Sequence, residues 1–294
     1  MASLKEIRKR ISSVKSTRQI TSAMKMVAAA RLRKAQDRIV KLRPYASKLH
    51  ELLIAINKRI EESENEQVYG RVSDNEKVLL IVVTSNRGLC GSFNMNVIKE
   101  TVRIIDERYS DQYNKKNLWL MTIGKKAWDY FRKKDFQILD NHSSIFDDLT
   151  FENTSVIAEK VMKAFVEKDF DRIEFVYNKF KNAAVQDLSN ETFLPVETES
   201  EDEDFSTGEY IFEPSKEEII TELIPKTLKI QFYRTLLDSY VAEHGARMTA
   251  MHMATDNATE LLRDMNLEYN KARQASITNE ILEVVSGANA LGSD

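Results

Sequence analysis

The sequence predicts an α/β domain inserted between two long helices that pair as an antiparallel coiled coil. Three observations lead to this fold class. Apolar residues recur at steps of three and four near both ends of the chain, the middle alternates strand-like and helix-like runs, and 294 residues include only eight Gly and four Pro. The predicted boundaries are 1–65 for the N-terminal helix, 66–214 for the α/β domain and 215–294 for the C-terminal helix.

The N-terminal helix is predicted from an apolar seam with heptad spacing. A small and polar stretch, 17–30, interrupts the seam, so the backbone of a partner helix could approach closely there. The predicted seam positions are Leu4, Ile7, Ile11 and Val14, followed by Ala35, Ile39, Leu42, Ala46, Leu49, Leu53, Ile56 and Ile60.

The middle of the chain predicts a small, open and mostly parallel sheet, because strands and helices alternate in βαβαβ order. A turn that contains glycine, residues 85–91, separates the first strand from the first helix. The predicted strands are 78–84, 118–123 and 173–180, and the predicted helices are 94–109, 125–134 and 154–168.

The C-terminal helix has the most regular apolar period, and a sustained period of 3.5 residues implies a left-handed supercoil. Its natural mate is the N-terminal helix. The seam slips by one position between Ser276 and Ile277, so side chains near this point turn away from the seam. The seam consists of Leu237, Val241, His244, Met248, Met251, Thr255, Ala258, Leu262, Met265, Tyr269, Ala272 and Ser276, and then of Ile277, Ile281, Val284, Ala288 and Leu291.

Charge is distributed unevenly along the chain. Residues 1–48 carry a net charge of +12, residues 49–225 a net of −13 and residues 226–294 a net of −2. The basic segment therefore predicts an acidic partner outside this chain. A nucleic acid is the weaker candidate, because the cations do not gather on one stripe and few aromatics lie among them.

No residue pattern indicates catalysis, a cofactor or a metal. Segment 86–91, Asn-Arg-Gly-Leu-Cys-Gly, lies where a phosphate loop would, but it matches neither common phosphate-loop pattern and is predicted to be a tight turn. Cys90 has no histidine near it in sequence, and the eight-residue spacing of His244 and His252 does not suit a helical metal pair. Two alternatives stay open on these grounds: a nucleotide-dependent α/β enzyme, and a coiled-coil protein that binds nucleic acid.

Several segments resemble the γ subunit of F-type rotary ATP synthases. They are 9–11, 23–29, 86–91 and 272–278, and the strongest is 277–290, Ile-Thr-Asn-Glu-Ile-Leu-Glu-Val-Val-Ser-Gly-Ala-Asn-Ala. The resemblance extends over the whole chain. Two features depart from some members: the acidic run at 197–204 is variable, and it lacks the pair of cysteines of the chloroplast-type thiol switch.

The resemblance implies a Rossmann-like α/β domain at the base of the coil, and a central stalk that is itself without catalytic residues. The shaft would couple proton flow through a membrane ring of c subunits to ATP synthesis and hydrolysis at the β subunits. The implied partners are three α and three β subunits, the ε subunit and the c ring. With no presequence visible, the expected location is the cytoplasmic side of a bacterial plasma membrane, reached through these partners.

The resemblance also implies which residues meet those partners. Residues expected to contact the α/β ring are Met24, Lys25, Arg273, Gln274 and Thr278, and those expected to face the rotor ring at the base are Tyr210, Phe212 and Glu213.

Overall fold

The computed structural model describes residues 4–57, 67–70, 76–196 and 216–291. The observed architecture is the predicted one, with a long helix at each end and a sheet between them. Contacts divide the chain into two compact units, 29–247 and the pair of segments 1–28 and 248–294. We call them the α/β unit and the terminal unit and describe each by itself. The predicted boundaries 1–65, 66–214 and 215–294 remain a prediction.

The helices of the described residues differ greatly in length. The helices are α1 (Leu4–Asn57), α2 (Gln67–Gly70), α3 (Phe93–Arg108), α4 (Ser110–Asn114), α5 (Lys125–Phe131), α6 (Phe151–Val166) and α7 (Lys216–Leu291), with a short 3₁₀ turn at Ser143–Phe146. Both terminal helices run through a proline, Pro44 in α1 and Pro225 in α7. The helix α7 begins nine residues before Pro225.

The α/β unit is built on a five-stranded mixed sheet. Its strands are β1 (Val78–Val83), β2 (Leu118–Ile123), β3 (Gln137–Asn141), β4 (Arg172–Phe180) and β5 (Gln186–Leu194), arranged in the order β3-β2-β1-β4-β5. Only β5 runs antiparallel to its neighbour. The three predicted strands are confirmed within one residue at each end, while the edge strands β3 and β5 were not predicted.

The burial of the strands explains which of them the sequence reveals. All six residues of β1 are buried, as expected of a central strand covered on both faces. The edge strand β3 has no fully buried residue, and β5 is largely polar until Phe193 and Leu194. A half-exposed edge strand carries little of the continuous apolar signal on which the prediction depended.

The helix α7 covers part of the sheet in the α/β unit. Phe232 of α7 packs edge-on against Phe175 of β4 and Phe193 of β5, at centroid distances of 5.1 and 5.6 Å. All three rings are essentially buried. Burial of large aromatic side chains dominates the stability of such cores, so this triad anchors α7 to the sheet.

The terminal unit consists of the first part of α1 and the last part of α7. Thr21 and Thr255 form a hydrogen bond between their hydroxyl oxygens at 2.9 Å. Burial recurs at heptad spacing on both sides of this contact, from Leu4 to Ala28 on α1 and from Met251 to Ser276 on α7. The small, polar stretch of the N-terminal helix thus continues the seam through Thr21 and Ala28, and the pairing is antiparallel.

The seam of the terminal unit ends near Ser276. Leu4 lies 17 residues before Thr21, so in an antiparallel pair it lies opposite about residue 272. Beyond that point the described part of α1 offers nothing to pack against. The side chains from Ile277 to Ala288 are therefore exposed, and the predicted continuation of the seam finds no partner among the described residues.

Candidate partner-contact site

The turn after β1 presents backbone carbonyl groups, which is the opposite of what a phosphate loop requires. Arg247 of α7 donates from Nη2 to the carbonyl oxygen of Arg87 at 3.0 Å, and from Nε to that of Gly88 at 3.4 Å. A phosphate loop needs backbone N–H groups directed at the anion. The polarity of the backbone in this turn therefore speaks against a phosphate loop at segment 86–91 and supports the predicted tight turn.

The crevice beside β1 is occupied by the chain itself. Strand order changes direction between β1 and β4, and open α/β sheets hold their ligands outside the carboxyl ends of strands at such a point. Here Ala242 and Ala246 of α7 pack against Cys90 and Phe93 in one buried cluster. The helix thus fills the space that a dinucleotide would use in a nucleotide-dependent enzyme.

Asn86 joins the ends of three strands. Its side-chain oxygen accepts from the backbone N–H of Lys125 at 3.0 Å, and its amide nitrogen donates to the carbonyl oxygen of Ser143 at 2.7 Å. These two residues follow β2 and β3, while Asn86 follows β1. One amide side chain therefore fixes the carboxyl edge of the sheet, which is a positioning role.

Cys90 is held as a protonated thiol. It is 2% exposed, and Asn94 donates from Nδ2 to its Sγ at 3.2 Å. Burial raises the pKa of the Cys90 thiol, because an apolar environment disfavours the thiolate. A buried, protonated thiol is a poor nucleophile.

A buried charge cluster on α7 was not predicted. Arg247 Nη1 lies 2.6 Å from the Glu243 carboxylate and 3.3 Å from Nδ1 of His244, and all three side chains are almost completely buried. Burial, with the cations Arg247 and Arg31 nearby, lowers the pKa of His244 to about 3. Burial likewise raises the pKa of Glu243, against the attraction of Arg247. His244 was assigned to the seam as a packing residue, which its burial confirms, but its ionic neighbours were missed.

Met24 and Lys25, two of the residues that the resemblance implies for the α/β ring, lie in the terminal unit on α1. Both are partly buried and lie one turn after Thr21 in the seam. Close by, Ile20, Met26 and Val27 are 60%, 65% and 54% exposed. These neighbours form an apolar surface that the sequence pattern did not single out, because they fall between the heptad positions.

Arg273, Gln274 and Thr278 lie on α7, also in the terminal unit, and all three are exposed. Thr278 donates from its hydroxyl to the carbonyl oxygen of Gln274 at 2.9 Å, one turn earlier. The described residues give the Arg273 guanidinium and the Gln274 amide no hydrogen-bond partner. Both polar groups are thus available to a partner, as predicted contacts would have to be.

The predicted base contacts Tyr210, Phe212 and Glu213 lie outside the described residues, as does the acidic run 197–204. Within the described ranges, no three His, Cys, Asp or Glu side chains converge as metal ligands would. None of the described helices combines the length and the apolar character that crossing a membrane requires.

Comparison with known proteins decides the family. The family described as ATP synthase matches residues 3–291. The ATP synthase gamma chain of Flavobacterium psychrophilum is 54% identical, with 99% of both chains covered, and that of Cytophaga hutchinsonii is 47% identical over the full length of both. The chain belongs to the ATP synthase gamma chain family. The predicted resemblance is therefore confirmed over the whole chain.

Solved structures share the fold. A chain of the Euglena gracilis mitochondrial ATP synthase, from a structure of its OSCP, F1 and c-ring, matches with a TM-score of 0.67 at 20% identity, covering 98% of this chain and 94% of that one. A chain from the central stalk and c-ring of the Tetrahymena thermophila enzyme matches with a TM-score of 0.58 at 24% identity, covering 80% and 99%. The fold, with long terminal helices around an α/β domain, is therefore shared with these two solved chains.

Proposed function

We propose that this chain is the shaft of the central stalk in a proton-translocating F-type ATP synthase, without a catalytic site of its own. Its terminal unit turns inside a ring of three α and three β subunits. Its α/β unit meets the ε subunit and the c ring. The complex lies on the cytoplasmic side of a bacterial plasma membrane, and the chain associates with that membrane through its partners.

One observation carries the proposal: the end of α7 has an apolar face with none of the described residues packed against it. Ile277, Ile281, Val284 and Val285 are 48%, 57%, 72% and 49% exposed. A contiguous apolar surface on a soluble chain marks a site of protein–protein contact. A surrounding ring of subunits would cover such a helix from all sides.

The charge distribution supports the same arrangement. The basic first part of the chain, net +12 over residues 1–48, calls for an acidic partner. Rotation of an asymmetric shaft would then present different contacts to each β subunit in turn. A contact made in some rotary states and not in others shifts the equilibrium between nucleotide affinities, which is what coupling requires.

Two measurements test the proposal. The tagged chain, purified from its host, should bring with it α, β, ε and c subunits, and vesicles that contain the complex should pump protons when ATP is added. Replacing Ile281 and Val284 by Ser should lower pumping per ATP hydrolysed. The matched control replaces Val156 and Val166, exposed residues of α6 in the α/β unit, by Ser.

Three results would contradict the proposal. Purification of the chain without α and β subunits would refute the shaft. ATP hydrolysis by the repurified chain alone, lost on Gly88→Ala, would favour the nucleotide-dependent enzyme. A steep salt dependence of duplex binding would favour the nucleic-acid alternative.

A further inference from the structure

A cavity of about 460 Å³ lies within the α/β unit. It is open to solvent and is lined by α1, by the turn after β1, by residues 146–149 after β3, and by α7. Its volume falls within the range of pockets that hold small molecules. It lies outside the carboxyl ends of β1 and β3, the edge of an α/β sheet at which ligands are usually held.

Four cationic side chains line this cavity. Arg31, Lys34 and Arg38 lie three and four residues apart and so share one face of α1, and Arg87 reaches the cavity from the turn after β1. Arg38 donates from Nη1 to the carbonyl oxygen of Leu149 at 3.3 Å. The side-chain nitrogens of Arg31, Lys34 and Arg87 donate to no described residue, although Arg31 and Arg87 act on Glu243 at longer range.

The acidic residues of the lining do not balance these cations. Glu243 is held by Arg247 at 2.6 Å, and Asp148 accepts from the amide of Asn153 at 3.1 Å. Asp147 completes the acidic set. Four cations thus face two carboxylates that no cation neutralises, so the cavity keeps an excess of positive charge.

A buried donor without a partner also lines the cavity. His244 is 2% exposed, and its Nε2 has no hydrogen-bond partner among the described residues. Its Nδ1 lies 3.3 Å from Nη1 of Arg247, and a guanidinium can only donate, so Nδ1 accepts. The proton of the neutral ring therefore sits on Nε2. A buried N–H without an acceptor costs free energy, so a shift of the ring that brings Nε2 to a ligand oxygen in the cavity would recover it.

We propose that the cavity binds a phosphoryl oxyanion, either inorganic phosphate or the phosphate end of a nucleotide. Guanidinium groups recognise such oxyanions through paired, charge-assisted hydrogen bonds, and the Nε2 proton of His244 adds a neutral donor. Phe146 and Tyr240, stacked with centroids 6.1 Å apart, supply an apolar wall beside the cations. The proposed function assigns this chain no small-molecule ligand, so this inference goes beyond it.

The test measures binding to the full-length chain by titration calorimetry, at constant ionic strength so that screening does not vary. Inorganic phosphate, ADP and adenosine are titrated separately. Saturable phosphate binding together with weaker ADP binding identifies free phosphate as the ligand, whereas tighter ADP binding identifies a nucleotide. Either result supports the oxyanion site. Adenosine binding as tightly as ADP would overturn it, since no oxyanion would then be recognised.

The variants separate the cavity from general surface charge. Arg31→Gln and Arg87→Gln should each weaken phosphate binding about tenfold, the usual effect of losing a charge-assisted hydrogen bond. Arg33→Gln is the matched control, because Arg33 is exposed on α1 and does not line the cavity. His244→Phe keeps an aromatic ring, removes the donor and should also weaken binding.

Two results would contradict the site. One is the absence of saturable binding at millimolar phosphate or ADP. The other is an equal loss of affinity in Arg33→Gln and Arg87→Gln, which would reduce the effect to net charge. Arg31 and Arg87 have exposed side chains, so their variants should unfold at the temperature of the wild-type chain. That measurement confirms that affinity, and not folding, has changed.

Discussion

Arg247 on α7 donates a hydrogen bond of 3.0 Å to the carbonyl oxygen of Arg87, a residue 160 positions earlier in the chain. The same guanidinium pairs with Glu243 at 2.6 Å. One side chain therefore neutralises a buried carboxylate and satisfies the turn after β1. This residue thereby ties α7 to the carboxyl edge of the sheet.

Removing the guanidinium should destabilise the chain strongly. Arg247→Met leaves Glu243 buried without its cation, and loss of one partner of a buried pair typically costs about 3–5 kcal/mol. The free energy of unfolding from urea titration measures the effect. The double variant Arg247→Met with Glu243→Leu should recover part of the loss, because it removes the unpaired charge. Equal destabilisation of the two variants would show that the bonds to the turn, and not the ion pair, carry the energy.

His244 should make stability dependent on pH. Its pKa in the folded chain is about 3, whereas an unfolded histidine titrates near its ordinary value of about 6.5. Between these values the unfolded chain binds the proton and the folded chain does not. Stability is therefore present above about pH 6.5 and is lost as the pH falls, by about 2 kcal/mol between pH 7 and pH 5.

The substitution His244→Gln should remove this part of the pH dependence. Urea titrations at pH 7 and pH 5 give the difference for the wild-type chain and the variant. His252→Gln is the control, since His252 is an exposed residue of the same helix. A variant whose stability falls as steeply as that of the wild-type chain would show that other groups dominate in this window.

Gly124 should tolerate no side chain. Its φ is 112°, and a Cβ built on it would lie 2.0 Å from the carbonyl oxygen of Thr84. Gly124→Ala therefore combines backbone strain with a clash against Thr84, the residue that follows β1, and we expect a loss of at least about 3 kcal/mol. Gly88→Ala is the matched control, because its Cβ would meet only Lys126, at 3.9 Å. Thermal unfolding compares the two, and similar losses would refute the steric argument.

Arg273 and Gln274 are expected to contribute to coupling. We predict that Arg273→Ala with Gln274→Ala leaves the complex assembled but lowers ATP hydrolysis and ATP-driven proton pumping. Coupling terms of about 1–3 kcal/mol correspond to a reduction of roughly 5- to 150-fold. Arg273→Lys should restore activity only in part, because lysine keeps the charge and loses the planar fork.

Rates are to be measured on complexes of confirmed subunit composition. Lys271→Ala controls for the loss of a positive charge on the same exposed helix. If the double variant turns over at the wild-type rate, the two residues are ordinary surface positions, and their expected role in the family does not apply to this chain.

Heptad spacing and buried strands made most of the fold predictable. The seams of α1 and α7 follow steps of three and four, and β1 is an unbroken apolar run. In these elements the pattern of apolar residues directly indicates which positions are buried. The strand β5 has no comparable apolar pattern, because an edge strand can be polar along one side. The end of the seam at Ser276 depends on where the partner helix α1 begins. The apolar period of α7 alone does not determine that position.

The candidate site was less predictable, for two reasons. The exposed position of Arg273 and Gln274 follows from the slip in register, but their contacts belong to another chain. Glu243 and Arg247 have the spacing of a common surface ion pair. The sequence around them does not indicate that the turn after β1 lies over this pair. Long-range packing decides whether such a pair is buried, so only the folded structure reveals it.

The spacing of Glu243 and Arg247 also affects the order in which the chain can fold. These two residues are four apart on one helix, so their pairing needs a single turn of α7 and closes almost no loop. The bond from Arg247 to Arg87 closes a loop of 160 residues and must wait for the sheet. We therefore expect α7 to reach the sheet with its charges already paired, so that the late step of docking buries a neutral surface.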